Sequence, residues 1–379
     1  MVIAVNTRLL INNKLEGIGW FTYETLSRIT QKHPEHTFYF LFDRPYHSDF
    51  VFSSNVIPIV LHPQARHPIL FVLWFEISVT RFLAKLKPDL FLSPDGYLSL
   101  STKTPSLAVI HDLNFEHYPK DLPWIIEKYY RYFFPKFARK ATRIATVSNF
   151  SKQDIAKTYQ IDPSKIDVVY NGSNEGYHPL SEIENESTRA IYTNERPYFV
   201  YVGALLPRKN LANLFLAFEQ YKQKSGANTV LMIVGEKKWW TPSIENAYSQ
   251  ISDKSGIIFT GRLEPNELNK VLSASIALTY VSYFEGFGIP ILEAFRCGTA
   301  VISANVTSMP EVAGDAAIFV DPFSVCEIAD ALQKLSENKT FRNDLIQKGT
   351  FQLKKFSWDN SAELLWKCIE MTVDKYTQS

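Results

Sequence analysis

Residues 281–305 read VSYFEGFGIPILEAFRCGTAVISAN, and the second half of the chain is organised around them. The stretch predicts a strand ending near Ser282, a glycine-bearing loop, a short helix opened by Pro290 and a second strand from Thr299. Proline suits the first helical position, because the N–H it lacks has no partner inside the helix anyway. Gly298 stands where helices commonly end on a left-handed residue. Glu285 and Glu293 bracket the loop with seven residues between them. Gly286 and Gly288 have no Cβ, so the main chain there can approach a bulky ligand. N–H groups and the dipole at the helix start favour an anion, and flanking carboxylates can accept hydrogen bonds from sugar hydroxyls. The ordinary alternative is a strand–loop–helix of any α/β protein, with Glu293 merely complementing the helix N-terminus.

Outward from this stretch, strands and helices alternate. VIAVN (2–6), TFYFLFD (37–43), VIPIVL (56–61), LFLSPD, SLAVIHD, RIATVS and IDVVYNG read as strands, with helices over 71–87, about 124–141 and 151–160. In the second half PYFVYVGA (197–204) precedes a helix capped by Asn210, and TVLMIVG, IIFTG and IALTYVS are further strands between helices. Such alternation means parallel sheets covered by helices. Residues 176–196 are polar, acidic and without periodicity, and read as a linker. The expected architecture is α/β: two doubly wound Rossmann-like domains, 1–190 and 191–358, facing each other across a ligand-binding cleft. A terminal helix at about 359–379 is expected to cross back onto the first domain.

The 379 residues are 46% hydrophobic and 21% charged with net charge +1, so no overall field recruits nucleic acid. Three cysteines without metal-ligand spacing fit a reducing, cytoplasmic setting. The opening MVIAVNTRLL has no long apolar run of a signal peptide, and Ile69–Phe75 is too short to cross a bilayer. Gly17-Ile18-Gly19 and Asp43 suggest a dinucleotide site, but a third glycine is missing and Gly17 lies far from the strand.

Taken together, E-G-F-G-I-P-I-L-E-A, N-T-R-L-L…E-G-I-G-W-F-T-Y, V-G-A-L-L-P-R-K-N and I-D-V-V-Y-N-G resemble retaining glycosyltransferases of the GT-B fold, in particular family 4. The resemblance covers almost the whole chain. It implies transfer of a hexose from a nucleotide diphosphate sugar to the hydroxyl of a glycan or lipid-linked glycan, with GDP-mannose or a UDP-sugar as donor. The -E-G-F-G-I-P- form leans towards mannose. Gly17 and Gly19 would lie against the donor phosphates and shape the acceptor cleft. His111 would position the transferred sugar. Arg208 and Lys209 would bind the diphosphate, Arg208 standing in for an arginine some relatives carry where this chain has Ala204. The main chain of Gly261, Arg262 and Leu263 would flank the base, and Glu293 would accept from the ribose. Glu285, Gly286, Phe287, Gly288 and Ile289 would face sugar and phosphates. Ser148 and Asn171 are secondary candidates.

Residue chemistry supports part of this independently. A guanidinium beside an ammonium suits a diphosphate, and two cations at a helix start oppose the dipole, a local conflict typical of functional sites. A solvated pair is the plain alternative for Arg208 and Lys209. Likewise His111 reads equally as a packed ring, and Asp112 as a turn cap. No aspartate is followed two residues later by another, so no D-x-D metal motif is present, and the expected enzyme needs no cofactor and no metal. A phosphorylase, a sugar-nucleotide epimerase or a non-catalytic sugar-binding protein remain the competing readings.

Residues 127–143 hold six basic and six aromatic side chains against one acid. At about 100° per residue the cations fall on one half of a helix, with Tyr130, Phe133, Phe134 and Phe137 on the other. Two readings stand: aromatics on the domain's sheet under a solvated basic half, or peripheral contact with the anionic inner membrane face. Pro135 threatens the helix.

Overall fold

Among the described residues, thirteen short strands, mostly apolar throughout, run parallel in two sheets, because helices cover both faces and leave no solvated side to alternate with. The computed structural model describes residues 1–237 and 239–377. Lys238 and the last two residues of the expected terminal helix lie outside them. The chain divides into two units, Met1–Asn171 with Ser357–Ser379, and Gly172–Phe356.

The first unit holds β1 (Val2–Asn6), β2 (Thr37–Phe42), β3 (Val56–Val60), β4 (Leu90–Ser93), β5 (Ser106–Val109), β6 (Arg143–Thr146) and β7 (Ile166–Val168). Their order is β3-β2-β1-β4-β5-β6-β7, with β1 pairing β2 on one side and β4 on the other. The strand order reverses at the β1/β4 junction, and ligands of doubly wound sheets bind outside the strand ends at such a point. Pro58 lies on the edge strand β3, where a missing N–H is tolerated. The terminal helix Trp358–Thr377 packs on the helix Gly17–Lys32, with Arg28 Nε 2.9 Å from Asp359 Oδ1 and the rings of Phe21 and Trp358 edge to face.

The helix expected over 71–87 is made of three segments, Pro68–Leu73, a π turn at Trp74–Val79, and Thr80–Leu86. Thr80 Oγ1 donates to the carbonyl of Phe75 inside the widened turn. Trp74 and Phe75 are thereby both fully buried, while Ile69, Leu73 and Ile77 are exposed. Trp124–Lys140 is one helix through Pro135, whose expected break does not occur.

The second unit holds β8 (Tyr198–Val202), β9 (Val230–Val234), β10 (Ile257–Gly261), β11 (Ala277–Tyr280), β12 (Ala300–Ala304) and β13 (Ala317–Val320), in the order β10-β9-β8-β11-β12-β13. Its reversal falls between β8 and β11. The expected linker is corrected here: 176–196 contains the helix Glu182–Thr193, opened by a capping box of Ser181 and Glu184, and belongs to the second unit. Threonines fill its buried positions (Thr188 and Thr193), and Tyr192 reaches Glu267 through its hydroxyl, so no apolar period marks it. The division between units falls at 171/172 rather than near 190.

Candidate active site

The loops after β8 and β11, the two strands flanking the reversal, meet at Glu285. Its Oε1 lies 2.6 Å from Lys209 Nζ and its Oε2 2.7 Å from an Arg208 terminal nitrogen. Burial alone would raise the carboxyl, but the charges of Arg208 and Lys209 outweigh it and hold Glu285 at about 2. Lys209 is itself buried, donates to the Tyr280 hydroxyl at 3.0 Å, and lies 4.8 Å from the centre of that ring. Burial pushes the Tyr280 phenol well above its usual range, so it stays protonated.

Several bonds fix this arrangement in the backbone. Pro207–Lys209 forms a 3-10 turn, and Tyr283 N donates to the Arg208 carbonyl. Asn210 is not the side-chain cap expected of it. It sits left-handed at φ +62°, and its amide donates to the carbonyls of Val281 and Pro322, tying the cationic loop to the end of β11. Ser308 Oγ donates to the carbonyls of Glu285 and Phe287, pinning the glycine loop from below.

The helix after that loop runs Ile289–Arg296 with Pro290 in its first turn, and Gly298 is left-handed at φ +68°, as the sequence predicts. Gly288 takes φ +115°, open to glycine and strained for other residues. Gly286, Phe287 and Gly288 are buried, and Phe287 stacks edge-on against Phe356. Glu293 lies inside the helix and keeps part of its surface, yet desolvation by its dense surroundings lifts its pKa to about 7. The two glutamates therefore differ in kind: one is a fixed anion between cations, the other a carboxyl poised to change charge near neutrality.

Gly261 ends β10 at φ +71°, and its carbonyl accepts from Gly235 N at 2.8 Å. It lines a cavity of about 540 Å³ with Leu205, Gly235, Lys237, Trp240 and Phe259. Arg262 is exposed and Leu263 half-buried beyond the strand end. These three residues are thus gathered at β10, two strands from the β8/β11 junction.

In the first unit, Gly17 opens the helix Gly17–Lys32 and Gly19 lies buried in its first turn, where a Cβ would stand 3.1 Å from the Leu9 carbonyl. His111 follows β5. Its Nε2 is 2.8 Å from the Pro94 carbonyl and must donate, which leaves Nδ1 unprotonated; burial lowers the pKa, so the ring is neutral. Phe21 holds the ring edge-on at 5.1 Å. Asp112 caps the turn to Asn114, and Ser148 caps its helix through Ser151 N. Asn171 is buried.

Sequence reading missed a buried polar group at the β1/β4 junction. Arg8 Nε donates to Asp95 at 2.7 Å under the ring of Tyr97, and Asn6 bonds Ser93 and Asp95. It missed Tyr280, Ser308 and the second role of Asn210 as well. The sequence signals for Arg8 are its position just after the first strand and its place in the run N-T-R-L-L.

Two parallel Rossmann-like sheets are the architecture of the GT-B glycosyltransferases. The chain belongs to the group 1, family 4 glycosyltransferases: the family "Glycosyltransferase Family 4" matches residues 15–175 and "Glycosyl transferases group 1" matches residues 183–351. It is an enzyme of glycosyl transfer. It is 27% identical over 299 residues to the O-antigen chain mannosyltransferase B of Escherichia coli, covering 78% of this chain and 75% of that protein. It is 28% identical over 257 residues to the O-antigen chain mannosyltransferase RfbU of Salmonella typhimurium, covering 68% and 67%. Sucrose-phosphate synthase from Thermosynechococcus elongatus shares the fold with a TM-score of 0.78 at 16% identity, over the whole of both chains.

Proposed function

We propose that the protein moves a mannose from GDP-mannose to a hydroxyl of a glycan or lipid-linked glycan, with retention of anomeric configuration. The observation that carries the reading is the Arg208–Glu285–Lys209 group. Glu285 holds two cations in register as a diphosphate would. An arriving donor diphosphate, with more charge and more oxygens, takes the cations and releases the Glu285 carboxylate towards the sugar. Charge on the leaving diphosphate is then met by fixed cations in a dry site, without a metal ion or other cofactor. Glu293 accepts from the ribose hydroxyls, which favours its ionised form. Gly261, Arg262 and Leu263 lie beside the base. The mannose lean rests on the two O-antigen mannosyltransferases that the chain resembles. The test is transfer from GDP-, UDP-, ADP- and dTDP-sugars with thermal shift alongside. Stabilisation by GDP-mannose and turnover with it are expected; stabilisation by free sugar alone, or none with any nucleotide, would refute the reading.

We also propose a membrane contact, at side chains other than the basic and aromatic ones of 127–143. No described helix is long and apolar enough to cross a membrane. On Trp124–Lys140 most aromatics belong to the domain core: Tyr129, Phe134 and Phe137 are buried, and Tyr130 and Phe133 pack against them. Arg131 is bound by Glu116 and Glu127, and Arg143 by Asp167. Lys128, Arg139 and Lys140 stay exposed. Trp124 and Ile125 at the start of this helix, Ile69 and Leu73 on the segment Pro68–Leu73 packed beside it, and Ile77 on the π turn that follows are exposed apolar side chains. We assign the contact to these side chains, with Lys128 one turn along the helix from Trp124. Trp124→Ser should lower sedimentation with phosphatidylglycerol vesicles at low salt; wild-type protein that stays wholly in the supernatant would refute it.

A further inference from the structure

The turn between the helix Gly17–Lys32 and β2 reads His33-Pro34-Glu35-His36, and nothing in the transfer reaction uses it. It precedes β2, whereas Arg8 and His111 follow β1 and β5. In a parallel sheet that places it at the opposite edge of the unit. Glu35 Oε1 lies 3.5 Å from His33 Nδ1 and 3.2 Å from His36 Nε2. The three groups present one ligand atom each, all within 4.8 Å of one another.

These spacings have a simple geometric meaning. Tetrahedral zinc, with bonds of about 2.0–2.1 Å to nitrogen and oxygen, sets its ligands roughly 3.3 Å apart. Two of the three edges already have about that length, and the third is within 4.8 Å. Imidazole and carboxylate together suit zinc, nickel or copper rather than magnesium or calcium.

The ligands are held before any metal arrives. The Asn55 side-chain amide donates to the carbonyls of Thr30, His33 and His36, at 3.1, 3.0 and 3.0 Å, fixing the backbone of the turn. Both imidazoles lie nearly flat on the Trp366 indole, with centroids at 3.7 Å for His33 and 5.1 Å for His36 and planes within 18°. Backbone and ring planes are thus set by residues outside the cluster, as the supporting shell of a metal site requires.

We propose that His33, Glu35 and His36 form a surface site for a divalent transition metal of the zinc type, with water in the remaining position. By locking rings that stack on Trp366, the ion ties the turn to the terminal helix Trp358–Thr377. Its role is to fasten that helix, not to serve transfer.

The test uses the untagged chain, since a histidine tag binds zinc and an extension at Met1 would crowd His36, whose Nδ1 is 2.9 Å from the amino group. Equilibrium dialysis against zinc chloride should give one zinc per chain, with a raised melting temperature. Glu35 is 59% exposed, so Glu35→Gln leaves the packing intact. It should weaken zinc by more than the roughly 100-fold that loss of a supporting partner costs. Nickel should quench tryptophan emission in the wild type, and Trp366→Phe should remove that quenching while zinc still binds. Zinc stoichiometry and affinity unchanged in Glu35→Gln and His36→Ala, or no zinc on the wild-type chain, would overturn the proposal.

Discussion

Glu285 Oε1 and Lys209 Nζ stand 2.6 Å apart in a site that leaves each side chain less than one-tenth exposed. A buried pair of this kind is costly to break from one side, because the remaining charge is left without water or partner. Glu285→Ala should therefore lose about 3 kcal/mol of stability in denaturant titration together with most turnover, while Glu285→Asp keeps more of both. Unchanged stability and turnover in Glu285→Ala would remove Glu285 from the site.

Acid should act on the same group. The folded pKa of Glu285 is depressed from 4.5 to about 2. Its contribution is therefore present above about pH 4.5 and lost as pH falls from there towards 2, an amount of roughly 3 kcal/mol. Urea midpoints of the wild type should fall across that window more steeply than those of Glu285→Gln.

Glu293 should behave in the reverse sense. Its folded pKa is raised to about 7 by burial. The neutral carboxyl favours the fold below about pH 4.5, and that advantage disappears as pH rises through 7. Glu293→Gln should thus gain in melting temperature over the wild type between pH 6 and 8. If the ribose bonds the carboxylate, donor binding near pH 7 expels a proton. Calorimetry in buffers of different ionisation enthalpy measures it; no proton release would place the ribose elsewhere.

Transfer should persist in excess chelator, since Arg208 and Lys209 supply the positive charge. Lys209→Ala should cost about 1.5–3 kcal/mol in kcat/KM, the range for a hydrogen bond to a charged group. Loss of activity in EDTA with recovery on adding magnesium or manganese would refute the metal-free reading.

Gly235 should tolerate no side chain. At φ +150°, a Cβ there would stand 1.9 Å from the carbonyl oxygen of Gly203, which begins the loop carrying Arg208 and Lys209. Gly235→Ala should cost more than the roughly 1–3 kcal/mol of a strained backbone alone and weaken donor binding. A variant as stable as the wild type, by thermal melting, would mean that the strand ends move freely.

The sequence by itself determined the parallel α/β architecture and most strand positions, because continuous apolar runs between proline and glycine breaks are a local property. It also determined the strand–loop–helix from 281, since Pro290 fixes φ at the helix start and Gly288 and Gly298 allow positive φ where they stand. What lay beyond it were matters of partners distant in the chain. The helix Glu182–Thr193 is stabilised by a capping box and buried threonines rather than an apolar stripe, so its periodicity was silent. Asn210 caps no backbone N–H because its NH2 donates to carbonyls 71 and 112 residues away and its Oδ1 accepts from the Asn213 side chain. Arg8 met Asp95 across 87 residues, and Glu285 met Lys209 across the reversal of a sheet. Only tertiary structure decided that two glutamates of one motif carry opposite shifts, since a pKa depends on which charges and how much water stand around the carboxyl, and neither is written locally in the chain.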